Sequence, residues 1–323
     1  MKKFSLNFLW LITIIILAGA LGAGGGRLKD YFFPDNDLQP KGEIHQSGYQ
    51  YISPLLECAD FHDIKKNELE EKLKNLINRK IKDQEITYAS IYFRDLNNGP
   101  WIGINEQENF TPASLLKVPL MIAYLKIAET APQTLQEEIL IDNGEGKGLS
   151  QNIIPLKTVE SGKKYKVADL LNYMIVYSDN RAANALLQHI DPDTLDKIYA
   201  DLGMKAPGDG QDENFMSVRD YSSFFRILYN ASYLNRDLSE KALQILTNSQ
   251  FTQGLTAGVP DNIVVAHKFG ERVLVEGKQL HDCGIIYKKN NPYLLCIMTR
   301  GNDFAKMSTA IKDFSGLVYT EFK

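Results

Sequence analysis

Several residue types that often reveal a function are scarce in this chain. Its 323 residues include three cysteines and five histidines, and neither set has metal-motif spacing, so we expect no metal and no other cofactor. No G-x-S-x-G segment is present, which argues against a nucleophile elbow. The net charge is only −4 and no basic stripe occurs, so nucleic acid is not an expected partner.

The cysteines leave one question open. Cys283 and Cys296 lie on two runs that predict a β-hairpin, and an exported location would permit a disulfide between them. Two buried free thiols are the alternative. The third, Cys58, lies near the predicted beginning of the folded part.

An apolar segment begins the chain. Lys2 and Lys3 precede a charge-free run over residues 4 to 26, which can enter a bilayer. Its small residues offer cleavage sites, whereas its length suits a retained anchor, so residues 1–26 are predicted to be a signal peptide or a membrane anchor. In both cases the remainder is exported to the cell envelope, either anchored to the membrane through this segment or secreted.

Two further units follow the leader. Residues 27–57 show no sustained hydrophobic period and are interrupted by Pro34, Pro40 and Pro54, which predicts a stalk. The folded domain is predicted to cover residues 58–323. Its composition, 44% hydrophobic and 24% charged in the whole chain, is typical of globular proteins.

The order of elements predicts an α+β fold. A helix over 69–81 is followed by a hairpin of strands 86–95 and 101–104. Later periodic segments predict helices at 114–128, 167–177, 181–190, 218–229 and 239–249, strands at 263–268, 282–287 and 293–299, with 272–275 as an extension of the first, and a last helix at 303–319. We therefore expect a mostly antiparallel sheet built from both ends of the chain, with flanking helices and a central helical lobe. The cleft between the two is the expected site.

The first chemical motif is Ser114 with Lys117. Pro112 and small residues precede an apolar run, so Ser114 is expected in the first turn of a helix, where unpaired N–H groups stabilise negative charge. A lysine three residues later lies on the same face, close enough to take the hydroxyl proton. Ser161 and Lys164 have the same spacing, but they lie in a polar loop with no apolar helix after it.

Two more motifs follow in the same order along the chain. Ser178-Asp179-Asn180 lies at a junction between helices, where it can project into a cleft; helix capping by Ser178 or Asp179 is the alternative. Lys268 and Gly270 end a β-prone run, where a lysine can attract a substrate carboxylate and a glycine permits close approach.

Together these motifs resemble the S-x-x-K, S-D-N and K-T-G set of class A β-lactamases and penicillin-binding proteins. The resemblance covers the chain from about residue 69 to its end and implies a β-lactamase/transpeptidase-like fold. It implies an enzyme acylated at Ser114 by a small-molecule β-lactam or a cell-wall D-alanyl peptide, with amide-bond hydrolysis.

The resemblance also implies roles for the other residues. Lys117 would activate Ser114, Ser178 would pass a proton to the leaving nitrogen, and Asn180 would hold the substrate amide. Lys268 would supply positive field and help to lower the pKa of Lys117. Backbone N–H groups of Ser114 and Glu271 would form the oxyanion hole.

Two departures from the family pattern matter for function. Phe269 replaces the usual threonine, and Arg272 is either a compensating contact for the substrate carboxylate or an ordinary surface residue. No E-x-x-L-N segment lies between Asn180 and Lys268, so Asp212 and Glu213 are the nearby acids that could serve deacylation. Without such a base the acyl-enzyme hydrolyses slowly, which favours a D,D-peptidase-like reaction. A cell-wall peptide-binding module without catalysis is the third interpretation.

Overall fold

A five-stranded antiparallel sheet organises the domain. The computed structural model describes residues 44–46, 48–57, 66–97, 99–142, 151–203 and 213–322. In chain order the strands are β1 (Ile44–His45), β2 (Leu55–Glu57), β3 (Tyr88–Asp95), β4 (Trp101–Ile104), β5 (Asn109–Phe110), β6 (Glu138–Leu140), β7 (Lys164–Lys166), β8 (Met216–Ser217), β9 (Val265–Leu274), β10 (Gly277–Ile286) and β11 (Tyr293–Gly301). The α-helices are α1 (Lys66–Lys82), α2 (Lys117–Ala128), α3 (Val167–Val176), α4 (Asn180–His189), α5 (Pro192–Asp201), α6 (Val218–Tyr229), α7 (Arg236–Leu246) and α8 (Phe304–Glu321).

The strand order of the large sheet is β4-β3-β11-β10-β9, and each neighbouring pair is antiparallel. Two of these strands come from the first third of the chain and three from the last, as the sequence predicts. The predicted α+β class is therefore confirmed. Strand β9 lies at one edge of the sheet, so one side of its backbone is available to the cleft.

Hydrophobic cores form on both faces of the sheet. Along β3 the buried side chains alternate: Ile91 and Phe93 pack with helices α1 and α8, whereas Tyr92 packs with the central helices. This period of two is what a strand covered on both faces requires. The second core, under the central helices, supports the elements that carry the Ser114 and Ser178 motifs.

Most predicted elements are present with small shifts at their ends. The helix predicted at 218–229 coincides with α6, and the helix predicted at 239–249 begins three residues earlier because Asn235 caps it through the N–H of Leu238. Helix α5 was not predicted, although Asp191 caps it and Pro192 occupies its first turn. The two predicted runs 263–268 and 272–275 form one strand, β9.

A disulfide joins the two strands on which the cysteines lie. Cys283 of β10 is directly opposite Cys296 of β11 in the strand register, and their sulfur atoms are bonded. Both residues are buried. Of the two alternatives that the sequence leaves open, the disulfide is the arrangement in the structure. Cys58 lies outside the described residues.

Part of the predicted stalk packs against the domain. Strands β1 and β2 pair with each other, and the backbone N–H groups of residues 50 to 52 donate to the Glu240 carboxylate at 2.9 to 3.0 Å. The N–H of Ser53 donates to the carbonyl of Tyr229 at 2.7 Å. Residues 50 to 53 therefore differ from a free stalk, because their backbone N–H groups donate to residues of helices α6 and α7.

The predicted leader, residues 1–26, lies outside the described residues. Among the helices that the structure does describe, none combines the length and the apolar composition needed to span a bilayer.

Candidate active site

Ser114 lies in a tight turn that leads into helix α2. The structure differs here from the predicted α-helix: residues Ala113–Leu116 form a 3-10 helix, and the α-helix begins at Lys117. Ala113 has a φ of 49°, a left-handed conformation that costs energy for a residue with a side chain. Because 3-10 geometry has three residues per turn, Ser114 and Lys117 lie on one face.

Strand β9 packs directly on this turn because Gly270 has no side chain. A Cβ atom at Gly270 would lie 2.7 Å from the carbonyl oxygen of Pro112 and 3.0 Å from Cγ of Leu115. On the other side, the Tyr221 hydroxyl donates to the carbonyl of Leu115 at 3.0 Å. The turn that carries Ser114 is therefore held between the edge strand and helix α6.

The ammonium group of Lys117 is directed at the second motif. It donates to the backbone carbonyl of Ser178 at 2.6 Å, to Oγ of Ser178 at 3.2 Å and to Oδ1 of Asn180 at 2.7 Å. Burial lowers the pKa of Lys117 to about 7, while the carboxylates of Asp179 and Glu271 act in the opposite direction. The lowered pKa of Lys117 was expected from the sequence, but its cause is burial and not the predicted effect of Lys268.

Lys268 reaches the same hydroxyl from the sheet. Its ammonium group donates to Oγ of Ser178 at 2.9 Å and to the carbonyl of Phe269 at 2.9 Å. Burial lowers the pKa of Lys268 well below its ordinary value, and the nearby Lys117 lowers it further, whereas Asp282 and Glu271 raise it. The three predicted motifs therefore meet at the Ser178 hydroxyl.

Asp179 has the capping role that was the alternative for this motif. Its carboxylate accepts from the N–H of Arg181 at 3.0 Å and from the N–H of Val159 at 2.8 Å. Ser178 itself has a φ of 56°, so the backbone turns sharply just before helix α4. Capping by Asp179 and presentation of Ser178 to the lysines are thus two parts of one turn.

A buried histidine–aspartate pair lies behind Lys268. Nδ1 of His267 is 2.7 Å from Oδ1 of Asp282, and the other oxygen of Asp282 accepts from the N–H of Leu255 at 2.9 Å. His267 is 2% exposed and Asp282 is fully buried, so the pair lies in the interior of the domain. Asp282 thus holds His267, the residue before Lys268, in place. The Asp282 carboxylate also lies within electrostatic range of the Lys268 amine.

Phe269 belongs to the core and leaves the substrate side without a hydroxyl. Its ring stacks on Phe251 with a centroid distance of 4.4 Å and an interplanar angle of 26°. It is 4% exposed. The family threonine is therefore replaced by a packing residue.

The remaining predicted site residues lie at different distances from the cleft. Glu271 and Arg272 line the cavity that contains Ser114 and Lys117. Glu213 is exposed and forms a salt bridge of 3.2 Å with Arg272, and it is not among the described residues that line the cavity. Asp212 lies outside the described residues.

The cavity at the cleft has a volume of about 510 Å³. The sequence analysis missed several residues that line it, including Gln151, Asn152, Leu187, Asp196 and Tyr199. The last two lie on helix α5, which the Asp191-Pro192 pair could have revealed. Gln151 and Asn152 belong to a loop, and no sequence signal places that loop across the cleft.

A larger cavity of about 890 Å³ lies elsewhere on the domain, with Trp101 and Arg219 in its wall. None of the described residues that line it belongs to the predicted site. We identify the smaller cavity as the candidate active site because Ser114, Lys117 and Asn180 line it, together with Glu271, the residue after Gly270.

The sequence model of one protein family, described as the beta-lactamase enzyme family, matches residues 68–322. A beta-lactamase of Citrobacter koseri is 25% identical to this chain in an alignment of 178 positions, which covers 50% of this chain and 59% of that protein. The match therefore spans about three fifths of the length of that curated relative.

Two solved structures are similar in fold. A mutant of PBP-A in an acyl-enzyme complex with penicillin G has a TM-score of 0.66 and 22% identity, over 79% of this chain and 96% of the other. A beta-lactamase from Xanthomonas campestris pv. campestris has a TM-score of 0.67 and 20% identity, over 79% and 99% of the two chains. At these identities the likeness shows the fold.

Proposed function

Because this chain belongs to the beta-lactamase enzyme family, we propose that it is a serine hydrolase of the class A type, which cleaves β-lactam amide bonds through an acyl-enzyme on Ser114. The observation that supports this most directly is the position of the Ser178 hydroxyl. It lies 3.2 Å from Nζ of Lys117 and 2.9 Å from Nζ of Lys268, beside the cavity that Ser114 lines.

In the proposed first step, neutral Lys117 takes the proton of Ser114 as Oγ bonds to the substrate carbonyl carbon. With a pKa of about 7, the Lys117 amine is neutral in about half of the molecules at pH 7. The backbone N–H groups of Ser114 and Glu271 are the proposed donors to the developing oxyanion. The PBP-A mutant supports this step, since it forms an acyl-enzyme with penicillin G in the same fold.

In the second half of acylation the carbonyl–nitrogen bond breaks. The leaving nitrogen receives the proton of the Ser178 hydroxyl, and Lys117, 3.2 Å away, returns its newly gained proton to that oxygen. The hydrogen bond from Lys268 stabilises negative charge on the Ser178 oxygen during the transfer. Asn180 is the proposed partner of the substrate amide, and Gly270 gives the substrate room beside the strand.

A D,D-peptidase-like reaction with slow deacylation is the second candidate, and the placement of the acids favours it. Glu213 is exposed and paired with Arg272, outside the described lining of the cavity. Asp196 and Glu271 are the carboxylates among the described lining residues, and neither lies in an E-x-x-L-N segment. On this proposal D-alanyl peptides of the cell wall acylate Ser114, and the acyl-enzyme persists.

We also propose that the enzyme domain, residues 58–323, works outside the cytoplasm, in the cell envelope. The apolar leader 1–26 supports export with either cleavage or retention as a membrane anchor. The bonded pair Cys283–Cys296 is in keeping with an oxidising compartment.

The test is covalent labelling of the full chain with a fluorescent penicillin, followed by intact mass. We expect the mass of one probe on the wild type and no labelling of Ser114→Ala. Ser161→Ala is the matched control, because Ser161 has the same S-x-x-K spacing, and it should label normally. No labelling of any variant would contradict the proposal and favour the peptide-binding module.

The fate of the adduct separates the two catalytic candidates. Rapid loss of the probe mass, with turnover of a chromogenic cephalosporin, supports the β-lactamase reaction. A persistent adduct supports the peptidase-like reaction, because release of the acyl group needs a positioned base.

A further inference from the structure

Thr111 lies three residues before Ser114, and side chains bind each of its polar groups. Its backbone N–H donates to Oε1 of Gln279 at 2.9 Å, and its backbone carbonyl lies 3.0 Å from Nε2 of His281. Its hydroxyl donates to Oδ1 of Asn214 at 3.1 Å. Thr111 is only 8% exposed, so these bonds replace the water that its buried groups have lost. The backbone just before the Ser114 turn is therefore fixed by side chains of strand β10.

The orientation of the two β10 side chains follows from the groups that they bind. A backbone carbonyl only accepts, so Nε2 of His281 carries the hydrogen of its bond. Burial lowers the pKa of His281 to about 3, which keeps the ring neutral. A backbone N–H only donates, so the carbonyl end of Gln279 faces Thr111, and its amide nitrogen donates to Asn214 at 2.8 Å. One side-chain acceptor and one side-chain donor thus match the two backbone groups of Thr111.

Both side chains lie in the interior of the domain. Gln279 is 2% exposed and His281 is fully buried. The Phe110 ring meets the imidazole edge to face, with a centroid distance of 5.3 Å and an interplanar angle of 78°. Polar side chains in such positions cost free energy unless they are bonded. Once bonded they fix one geometry, because a displacement leaves a buried donor or acceptor without a partner.

The turn next to this arrangement is strained. Ala113 has a φ of 49°, and the N–H of Leu115 closes a tight 3-10 turn around Ser114. A strained backbone persists only where its surroundings hold it at several points. At the far end of the turn, the Tyr221 hydroxyl binds the Leu115 carbonyl. At the near end, the bonds to Thr111 supply the second hold.

We infer that Gln279 and His281 are positioning residues for the nucleophile Ser114. They bind both backbone groups of Thr111 and so hold the turn in the geometry in which the Ser114 hydroxyl reaches the substrate carbonyl. The inference rests on the proposed acylation of Ser114 and adds to it two residues outside the three motifs. Neither is among the described residues that line the cavity. Their removal should therefore slow the covalent step and leave noncovalent binding of the substrate unchanged.

The experiment measures labelling of the full chain by a fluorescent penicillin over a range of probe concentrations. Because the rate saturates, it gives separately the dissociation constant of the noncovalent complex and the first-order rate of acylation. His281→Phe keeps a buried ring but removes the donor to Thr111. Its acylation rate should fall at least about tenfold, since a displacement of about 1 Å at a reacting group costs up to about 100-fold. Its dissociation constant should stay within about twofold of the wild-type value.

Two further variants test the hydrogen bonds themselves. His281→Gln is the conservative variant, because the amide nitrogen of glutamine can donate in place of Nε2. It should restore the acylation rate to within about threefold of the wild type. Gln279→Met removes the acceptor for the Thr111 N–H with little change in shape, and it should slow acylation as His281→Phe does.

Thr299→Val is the matched control. Thr299 is a fully buried residue of the neighbouring strand β11, and its hydroxyl donates to the carbonyl of Leu280 at 2.6 Å. The substitution removes a buried hydrogen bond that does not involve Thr111. It should lower stability, measured by urea denaturation, and keep the wild-type acylation rate.

The outcomes separate this inference from the proposed function. Wild-type acylation rates in folded His281→Phe or Gln279→Met overturn the inference, and so does an equal fall in Thr299→Val. A weaker dissociation constant with an unchanged rate overturns it as well, because that result assigns the residues to binding. If neither loss variant folds, the two residues support the whole domain and the inference is also overturned. If wild-type protein is not labelled at Ser114, the proposed function itself fails.

Discussion

Lys268 donates a hydrogen bond of 2.9 Å to the hydroxyl of Ser178, and this contact joins the edge strand of the sheet to the helical lobe. The two residues are 90 positions apart in the sequence. Lys117 reaches the same oxygen from a third element, at 3.2 Å. The chemistry of the cleft therefore depends on the relative position of strand β9, helix α2 and the turn before helix α4.

The rate of acylation should depend on the protonation of Lys117. Its pKa of about 7 predicts that the rate rises with pH below about 7 and levels off above it, as the neutral amine becomes the main form. The measurement is the pH profile of labelling by a fluorescent penicillin. Lys117→Ala should lower the rate by at least about 100-fold, the smallest contribution usual for a general base.

Lys126→Ala is the charge-matched control for that experiment. Lys126 lies on the same helix but pairs with Glu129 at 2.7 Å, away from the three motifs. It should keep the wild-type pH profile. A flat profile in the wild type between pH 5 and 9 would contradict a role for the Lys117 amine as base.

Gly270→Ala should impair both stability and acylation. The new methyl group would lie 2.7 Å from the carbonyl oxygen of Pro112, so either the strand or the Ser114 turn must move. We expect a loss of about 1–3 kcal/mol in the free energy of unfolding, measured by urea denaturation. Val264→Ala, at an exposed position just before the same strand, should leave both properties close to those of the wild type.

Phe269→Thr restores the family residue and should nevertheless destabilise the protein. The ring of Phe269 is 4% exposed and stacks on Phe251, so its loss should lower the free energy of unfolding by about 2–4 kcal/mol. Phe251→Thr should cost a similar amount. Because each ring packs on the other, the double variant should lose less than the sum of the two losses. A gain in stability for Phe269→Thr would show that the packing is misassigned.

Reduction of the Cys283–Cys296 bond should lower stability by about 2–4 kcal/mol. In the unfolded, unreduced protein, alkylation should modify only Cys58, as counted by intact mass. Alkylation of all three cysteines without reductant would instead establish the free-thiol alternative.

Glu213→Gln should leave acylation unchanged and alter the release of the adduct by no more than about twofold, because exposed ion pairs contribute little. Glu213 is exposed and its only described ion pair is with Arg272. Release rates come from the decay of the adduct mass. A release slowed at least about tenfold would identify Glu213 as the deacylating base.

The fold could be predicted from the sequence wherever the hydrophobic period was strong. Helix α6 and the sheet strands follow from periods of 3.6 and 2, which reflect burial on one or both sides. The prediction divided strand β9 in two because Gly270 and Glu271 interrupt its β-prone run. The interruption arises because this part of the edge strand faces the cleft, where polar side chains replace core residues.

In the candidate site, the residues of the three motifs were predictable from the sequence, and most other lining residues were not. Ser114, Lys117, Ser178 and Lys268 carry a recognisable spacing, and the structure brings Lys117 and Lys268 each within hydrogen-bonding distance of the Ser178 hydroxyl. The 3-10 turn at Ser114 was not predictable, because it depends on the contact between Gly270 and Pro112, 158 residues away along the chain. The position of the loop that contains Asn152 and Ile153 has no local sequence signal, since the Glu271 carboxylate accepts from the backbone N–H groups of that loop.

The hydrogen bonds between residues 50 to 52 and Glu240 limit how far the domain can lie from the proposed membrane anchor. If the proposed anchor holds the chain at a membrane, the described segment from residue 44 is already fixed to the domain, ahead of the predicted boundary at 58. About 14 residues are thereby removed from the tether, which shortens its greatest contour length by about 45 Å. Glu240, the Tyr229 carbonyl and the Tyr287 hydroxyl all bind this segment, so its docking on the domain governs how far from the lipid surface the cleft can work.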